Sequence, residues 1–187
     1  MGKLVVTEFI TLDGVFEDPG GAESFDLGGW AFKFDRGNEG DKFKLDELMS
    51  ADAQLLGRTT YEGFAAAWPR MSGNPFAEKM NGMPKFVFSG TLQEASWNNS
   101  TILRGDLATE VQSLKDRLQG DVLVAGSGQL VRGLLDAGLV DELRLMVFPT
   151  ILGRGKQLFD GARPTALRPV EVGRAGATTT IVLAVDE

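Results

Sequence analysis

Short apolar segments alternate with segments of helical periodicity along most of this chain, and that alternation limits the fold more than any other feature. Such an order is typical of α/β domains, in which helices connect the strands of a parallel sheet. The apolar runs predict strands at Leu4–Thr11, Ala53–Leu56, Lys85–Phe88, Val122–Ala125 and Glu142–Phe148. Apolar residues at helical spacing predict helices over Asp41–Asp52, after Gly57, over Leu107–Leu118 and from Leu130 to Gly138.

The end of the chain departs from this alternation, because two strand patterns follow each other directly. Leu167–Gly173 and Thr178–Val185 predict a closing β-hairpin. We therefore predict an α/β fold with a mostly parallel central sheet, helices on both faces and an antiparallel edge. The sequence contains no internal repeat and no linker, so residues 1–187 are predicted to form a single domain.

The amino-acid composition excludes several classes of function. The chain has no cysteine and no histidine, which removes disulfides, thiol nucleophiles, Ser-His-Asp triads and the usual zinc ligands. We predict no metal site. Hydride transfer fits this composition well, because a cofactor carries the difficult chemistry. The net charge is −7 without a basic stripe, so no nucleic-acid partner is expected. No apolar run is long enough to cross a membrane and no signal peptide is evident, so a cytoplasmic protein is expected.

Three short polar or glycine-containing segments follow predicted strands. Gly57-Arg58-Thr59-Thr60 and Gly126-Ser127-Gly128 each stand between a strand and a helix, where free N–H groups and the helix dipole favour an anion. Ser89-Gly90 follows a third strand. Because ligands of open α/β sheets bind at the carboxyl ends of strands, the three together predict a dinucleotide site. Taken singly, the first is also explained as an ordinary capped helix with a surface arginine, the Gly126 segment as a tight turn and Ser89-Gly90 as a plain turn. Val131 rules out the Rossmann glycine pattern.

A long irregular segment from Glu17 to Gly40 is rich in glycine and aromatic residues, as functional loops often are. Trp30 in this segment is predicted to cover a substrate ring. Asp13, directly after the first strand, is predicted to face the same crevice and to orient a substrate or relay a proton. The alternatives are that Trp30 belongs to the core and that Asp13 only stabilises the turn into Gly14.

The sequence resembles the dihydrofolate reductase superfamily at several of these places. Residues 53–62, AQLLGRTTYE, resemble the strand-to-helix cofactor segment of dihydrofolate reductase. Residues 124–130, VAGSGQL, continue into LLDAGLVDEL at 134–143 and PTILGRGKQLF at 149–159, and this run resembles the C-terminal reductase domain of the riboflavin-biosynthesis protein RibD. Thr11-Leu12-Asp13-Gly14 is similar to the first-strand motif of the same family.

The resemblance implies a dihydrofolate-reductase-like fold, the cofactor NADPH and a homodimer. It implies that the cofactor would contact Gly57, Arg58, Thr59, Thr60, Ser89, Gly126, Ser127, Gly128, Gln129 and Leu130. The expected function is an NADPH-dependent reductase of a small pterin-like or aminopyrimidine substrate. The alternative is a non-catalytic nucleotide-binding or dimeric interaction module on the same scaffold, since a fold does not determine a function.

Overall fold

An eight-stranded sheet runs through the molecule in the order β4-β3-β2-β5-β1-β6-β8-β7, in a computed structural model that describes residues 2–186. Strands β1 to β6 are parallel to one another, whereas β8 runs antiparallel to β6 and to β7. The strands are β1 (Leu4–Thr11), β2 (Ala51–Gly57), β3 (Lys85–Phe88), β4 (Ser100–Leu103), β5 (Asp121–Ala125), β6 (Glu142–Phe148), β7 (Leu167–Ala175) and β8 (Thr178–Val185).

Helices cover both faces of this sheet. They are α1 (Gly37–Ser50), α2 (Arg58–Ala67), α3 (Pro75–Gly82), α4 (Leu107–Arg117) and α5 (Gly128–Asp136). Consecutive residues of β1 point to opposite faces: Leu4 and Val6 pack in one core with α4 and α5, whereas Val5 packs with α1, α2 and α3. Both faces are therefore buried, as is usual for parallel sheets.

The predicted fold class is confirmed, with two elements that the sequence did not reveal. The strand β4 has only four residues and lies at the edge of the sheet, where one neighbour suffices. The helix α3 has eight residues between Pro75 and Gly82, which is too short for a clear apolar periodicity. Along the chain, α3 comes just before the predicted strand at 85–88 and β4 comes just after it.

The strand order creates a crevice between β1 and β5. From β1 the chain crosses through α1 to β2 on one side, and from β5 it crosses through α5 to β6 on the other. Adjacent strands whose connections leave in opposite directions open a gap beyond their carboxyl ends, which is where α/β sheets bind ligands. The segments following β2, β3 and β5 all end at this edge.

Candidate functional site

An open cleft of about 1380 Å³ lies across the carboxyl ends of the strands. The turns after β2, β3 and β5 form one half of it, and β1, α1 and the loop 16–36 form the other. All ten residues that the sequence assigned to a cofactor line this cleft, namely Gly57, Arg58, Thr59, Thr60, Ser89, Gly126, Ser127, Gly128, Gln129 and Leu130. The tertiary structure thus brings three separate segments of the chain together.

Hydrogen bonds between hydroxyls and backbone hold the turns after β2 and β5 against each other. The Gly57 N–H donates to Oγ of Ser127 at 2.9 Å, and the Ser127 N–H donates to Oγ1 of Thr60 at 2.8 Å. The Ser127 hydroxyl itself donates to the Ala125 carbonyl at 3.0 Å. Ser127 and Thr60 therefore fix the relative position of the two helix N-termini, which is a role that the sequence did not reveal.

The two helices that begin in this half of the cleft have N-termini without side-chain caps. Neither α2 nor α5 has a capping side chain or an acidic residue in its first turn. The helices α3 and α4, by contrast, are capped by Asn74 and Asp106 and carry a glutamate in the first turn. Free N–H groups and an unbalanced helix dipole favour an anion at the first two helices.

Thr59 and Glu62 have the sequence spacing of a capping box, but the structure does not form one. The N-cap of α2 is Gly57, so Thr59 lies inside the first turn. Glu62 instead forms an ion pair with Arg58, whose Nε lies 2.8 Å from Oε1 of the carboxylate. The Arg58 guanidinium also donates to Oγ1 of Thr91 at 3.0 Å, across the gap to the turn after β3.

Glycine at positions 126 and 128 is required by the protein's own packing. Gly126 has a φ of +56°, and a Cβ there would lie 2.7 Å from Oγ1 of Thr60. A Cβ on Gly128 would lie 2.2 Å from Cζ of Phe16, whose ring covers this turn. At both glycines the backbone is approached closely by a neighbouring side chain, Thr60 at Gly126 and Phe16 at Gly128.

Ser89 is buried, and its hydroxyl shapes the turn after β3. Its Oγ accepts the N–H of Leu92 at 3.0 Å and that of Thr91 at 3.3 Å. This turn places Thr91 within reach of Arg58. Ser89 thus holds the turn that forms this part of the rim of the cleft.

The other half of the cleft contains a polar cluster between β1 and α1. The Thr7 hydroxyl donates to Oε1 of Glu47 at 2.7 Å, and Nζ of Lys44 donates to Oγ1 of Thr7 at 2.6 Å. Lys44 also pairs with Glu47 and lies 5.0 Å from the centre of the Phe9 ring. These contacts make a fixed, nearly dry platform on which a planar ligand can rest.

Glu8 is a buried carboxyl of the cleft with an unpaired oxygen. Its side chain is 6% exposed and its Oε1 has no hydrogen-bond partner. Burial raises the pKa of Glu8 well above its ordinary value, against the opposing effects of Lys44 and of the Gly126 N–H. Sequence analysis missed Glu8, although a glutamate within the otherwise apolar run of β1 is an unusual residue for a buried strand.

Asp13 does not lie on the cleft. Its carboxylate accepts the Thr11 hydroxyl at 2.5 Å and the N–H groups of Gly153 at 2.8 Å and Leu152 at 3.3 Å. The hydrogen bond from Thr11 is the main cause of a lowered pKa of Asp13. The prediction that Asp13 faces the crevice is therefore not supported, and its contacts fit the alternative of a turn-stabilising residue.

Trp30 does not face the cleft either. The ring is 1% exposed, packs edge-on against Phe148 at 5.3 Å and donates its N–H to the Glu17 carbonyl at 2.8 Å. A ring so enclosed cannot stack on a ligand, so the stacking prediction is wrong. Phe32 lines the cleft from the same loop and is 79% exposed. The aromatic residue available at the rim is thus two positions further along the chain.

The part of the chain that the structure describes, residues 2–186, contains no helix that is long and apolar enough to cross a membrane.

Comparison with known protein families shows the family to which the chain is related. A family described as the RibD C-terminal domain matches residues 2–181. The chain belongs to this family. Among proteins of similar sequence, the uncharacterized protein YyaP of Bacillus subtilis (strain 168) is 28% identical over 162 residues, which are 84% of this chain and 80% of YyaP.

Solved structures share the architecture at low sequence identity. A putative riboflavin biosynthesis protein from Shewanella sp. PV-4 superposes with a TM-score of 0.79 at 20% identity, over 100% of both chains. Dihydrofolate reductase from Enterococcus faecalis, complexed with NADP(H), gives 0.59 at 16% identity over 100% of this chain and 98% of that one. The fold is dihydrofolate-reductase-like, which confirms the resemblance, and the family supports a reductase-like function.

Proposed function

We propose that this protein is an NADPH-dependent reductase of a small pterin-like or aminopyrimidine substrate. The observation that carries the proposal is the pair of uncapped helix N-termini, α2 and α5, which Ser127 and Thr60 hold together at the cleft. A dinucleotide carries phosphates that can bind at both helix N-termini, and its aromatic ring can extend into the cleft beyond them. The dihydrofolate reductase of similar fold is complexed with NADP(H), which supports this choice of cofactor.

The residues present fit such a cofactor. The backbone N–H groups at the start of α5, from Gly128 to Leu130, would hold a pyrophosphate, and the start of α2 with Arg58 would hold a phosphate on the adjacent ribose. When bound, the dinucleotide supplies a hydride. The platform of Thr7, Lys44 and Glu47 orients a planar substrate, and Phe32 at the rim limits the access of water.

Titration of the purified protein with NADPH and NADH tests this proposal. We expect saturable binding of both, with NADPH the tighter ligand, followed by loss of the reduced-nicotinamide absorbance when a suitable heterocycle is added. Binding without turnover across a panel of reduced and oxidised pterins and aminopyrimidines would favour the non-catalytic nucleotide-binding module. Absence of binding to either dinucleotide would contradict the proposal.

A homodimer and a cytoplasmic location remain further predictions from the sequence. Light scattering on the eluting protein measures the first directly, and a mass of twice 20.1 kDa is the expected result. Fractionation of the source cells measures the second.

A further inference from the structure

The wall of the cleft that α2 and α3 supply is apolar and only partly covered. The residues of 63–80 that line the cleft are Gly63, Phe64, Ala67, Trp68, Met71, Phe76 and Met80. Three of them are half-buried aromatic residues that pack on the core beneath α1, α2 and α3, namely Phe64, Trp68 and Phe76. Met71 completes the surface and is 47% exposed. Together these four residues form the aromatic wall.

The rings of the aromatic wall pack against one another. Trp68 lies edge-on to Phe64, with 6.4 Å between the ring centres, and is tilted by 32° against Phe76, with 5.3 Å between the centres. Such contacts fix the orientation of each ring. Because part of each ring also remains exposed to the cleft, the wall offers apolar surface to a further flat group.

Asn81 anchors the segment that carries Trp68 and Met71. Its side-chain nitrogen donates to the Trp68 carbonyl at 3.0 Å and to the Met71 carbonyl at 3.3 Å, and its side-chain oxygen accepts the indole N–H of Trp97 at 2.9 Å. Trp97 is buried, and Nζ of the buried Lys85 lies 4.3 Å from its ring centre. The aromatic wall is therefore held in place by the core, since both donors and the acceptor of the Asn81 amide are used.

The aromatic wall carries no charge. Within residues 2–186, the cations that line the cleft all lie outside 63–80, and they are Arg36, Lys44, Arg58, Arg132 and Lys156. Four of them are paired with carboxylates, and the fifth donates to the Gln157 carbonyl. A phosphate group set against the wall would lose water and gain no cation in return, which is unfavourable. An uncharged ring in the same place would remove apolar surface from water, which is favourable.

From these observations we propose that the aromatic wall sets the substrate specificity of the cleft. It takes an uncharged aromatic or other flat apolar substituent on the substrate heterocycle and rejects a phosphorylated one. The inference rests on the proposed function, because it concerns the substrate of that same site. Leu48, next to Glu47 of the platform, lines the cleft and belongs to the core on which the wall packs, so the wall continues from the platform. A heterocycle on the platform can thus extend its substituent to Trp68.

The test measures occupancy of the wall itself, by fluorine NMR of protein labelled with 5-fluorotryptophan. The chain has three tryptophans. Trp30 and Trp97 are buried and serve as internal references, and Trp68→Phe assigns the third resonance. The probes are benzyl alcohol and benzyl phosphate, which share a ring and differ in charge. Because the signal is local, a phosphate that binds at the helix N-termini does not move it.

Benzyl alcohol should shift the Trp68 resonance of the wild-type protein, and benzyl phosphate should need at least about tenfold more probe for the same shift. Met71→Lys places a cation on the wall at a position exposed enough to accept it. In this variant benzyl phosphate should act at about a tenth of the wild-type concentration. Met49→Lys is the matched control and should behave as wild type, because Met49 is 52% exposed and lies outside the cleft.

A Trp68 resonance that benzyl phosphate moves as readily as benzyl alcohol would overturn the proposal, and so would one that neither probe moves. Equal responses of Met71→Lys and Met49→Lys to benzyl phosphate would also overturn it. Failure of the protein to bind NADPH would instead count against the proposed function, because neither probe requires the dinucleotide. Once a substrate is found, Trp68→Ala should raise KM with little change in kcat.

Discussion

Arg58 is the residue at which a preference between the two dinucleotides would arise. Its guanidinium is half exposed and pairs with Glu62, and such exposed pairs add little to stability. We expect Arg58→Ala to remain folded and to weaken NADPH binding by roughly 10- to 100-fold, the worth of a charge-assisted bond, without affecting NADH. Calorimetric titration with each dinucleotide measures this.

The matched control for Arg58 is Arg132, a second arginine that lines the cleft. Arg132→Ala should leave the ratio of the two affinities unchanged. Glu62→Gln should act in the opposite direction to Arg58→Ala, because it releases the guanidinium for phosphate. An Arg58→Ala variant that still prefers NADPH would mean that the preference arises elsewhere.

Asp13 should prove structural when it is replaced. Asp13→Asn keeps the size of the side chain but loses the charge that accepts two backbone N–H groups and the Thr11 hydroxyl. We expect a loss of about 1 kcal/mol in the free energy of unfolding at neutral pH. Because the native pKa of Asp13 is lowered, this difference should shrink as the pH falls below about 3.9, where the unfolded carboxyl binds its proton. Urea unfolding over a pH series measures it, and unchanged stability at neutral pH would contradict it.

Glu8 should show the opposite dependence on pH. Its native pKa is raised, so above about pH 4.3 the unfolded state loses a proton that the native state keeps, and stability falls as the pH rises through that window. Glu8→Gln removes this effect. We expect the variant to be more stable than wild type at neutral pH and the gain to vanish near pH 4. Paired unfolding curves at the two pH values decide the matter.

Among single residues, position on a strand predicted the lining of the cleft better than chemical type did. The ten residues predicted to contact a cofactor come from segments at the ends of strands and from the family resemblance, and parallel strands place their ends at one edge. Asp13 also follows a strand, but the segment at 152–153 covers it. Trp30 was chosen as an aromatic residue of the long irregular segment, but a large apolar ring also favours burial. Glu8 was overlooked because its raised pKa follows from burial, which the amino-acid composition does not reveal.

At the scale of elements, the start of α5 can be tested by separating its packing from its ligand. Gly128→Ala should destabilise the protein, since the new Cβ meets the Phe16 ring. In a Phe16→Ala background the same glycine substitution should cost little further stability, because the ring is gone and alanine otherwise suits a helix better than glycine. If the pyrophosphate lies against this turn, the folded double variant should still bind NADPH more weakly than Phe16→Ala alone. Equal affinities would make the turn purely structural.

The helix starts differ in whether their hydrogen-bond partners are local or distant in the chain. Asn74 and Asp106 cap α3 and α4 within the local sequence, so those starts are complete in the chain itself. At α2 and α5 only the N–H groups of the N-cap residues are bonded, that of Gly57 to Ser127 and that of Ser127 to Thr60, 67 residues away. The sequence pattern pointed instead to a local capping box at Thr59, and the partner that replaced it is distant in the chain.

For the whole molecule, the dinucleotide should act as a stabilising ligand across the sheet. At a concentration of 100 times its Kd, NADPH should raise the free energy of unfolding by about 2.7 kcal/mol, which corresponds to a rise in Tm of roughly 5–10 °C for a chain of this size. NADH at the same concentration should give a smaller shift, and Arg58→Ala should make the two shifts equal. Thermal unfolding followed by circular dichroism measures all of them, and a Tm that neither dinucleotide changes would argue against a cofactor site.

The sequence by itself determined the fold class and the strand-end segments that line one half of the cleft. Local sequence patterns predict both, because the alternation of strand and helix periodicity indicates an α/β sheet and glycine turns mark the ends of its strands. The tertiary structure alone decided which polar groups are buried and which are paired. It closed the turn around Asp13, enclosed Trp30, and left Oε1 of Glu8 buried without a hydrogen-bond partner. Those outcomes depend on contacts between residues more than a hundred positions apart, and the desolvation that follows from them has no local signature in the chain.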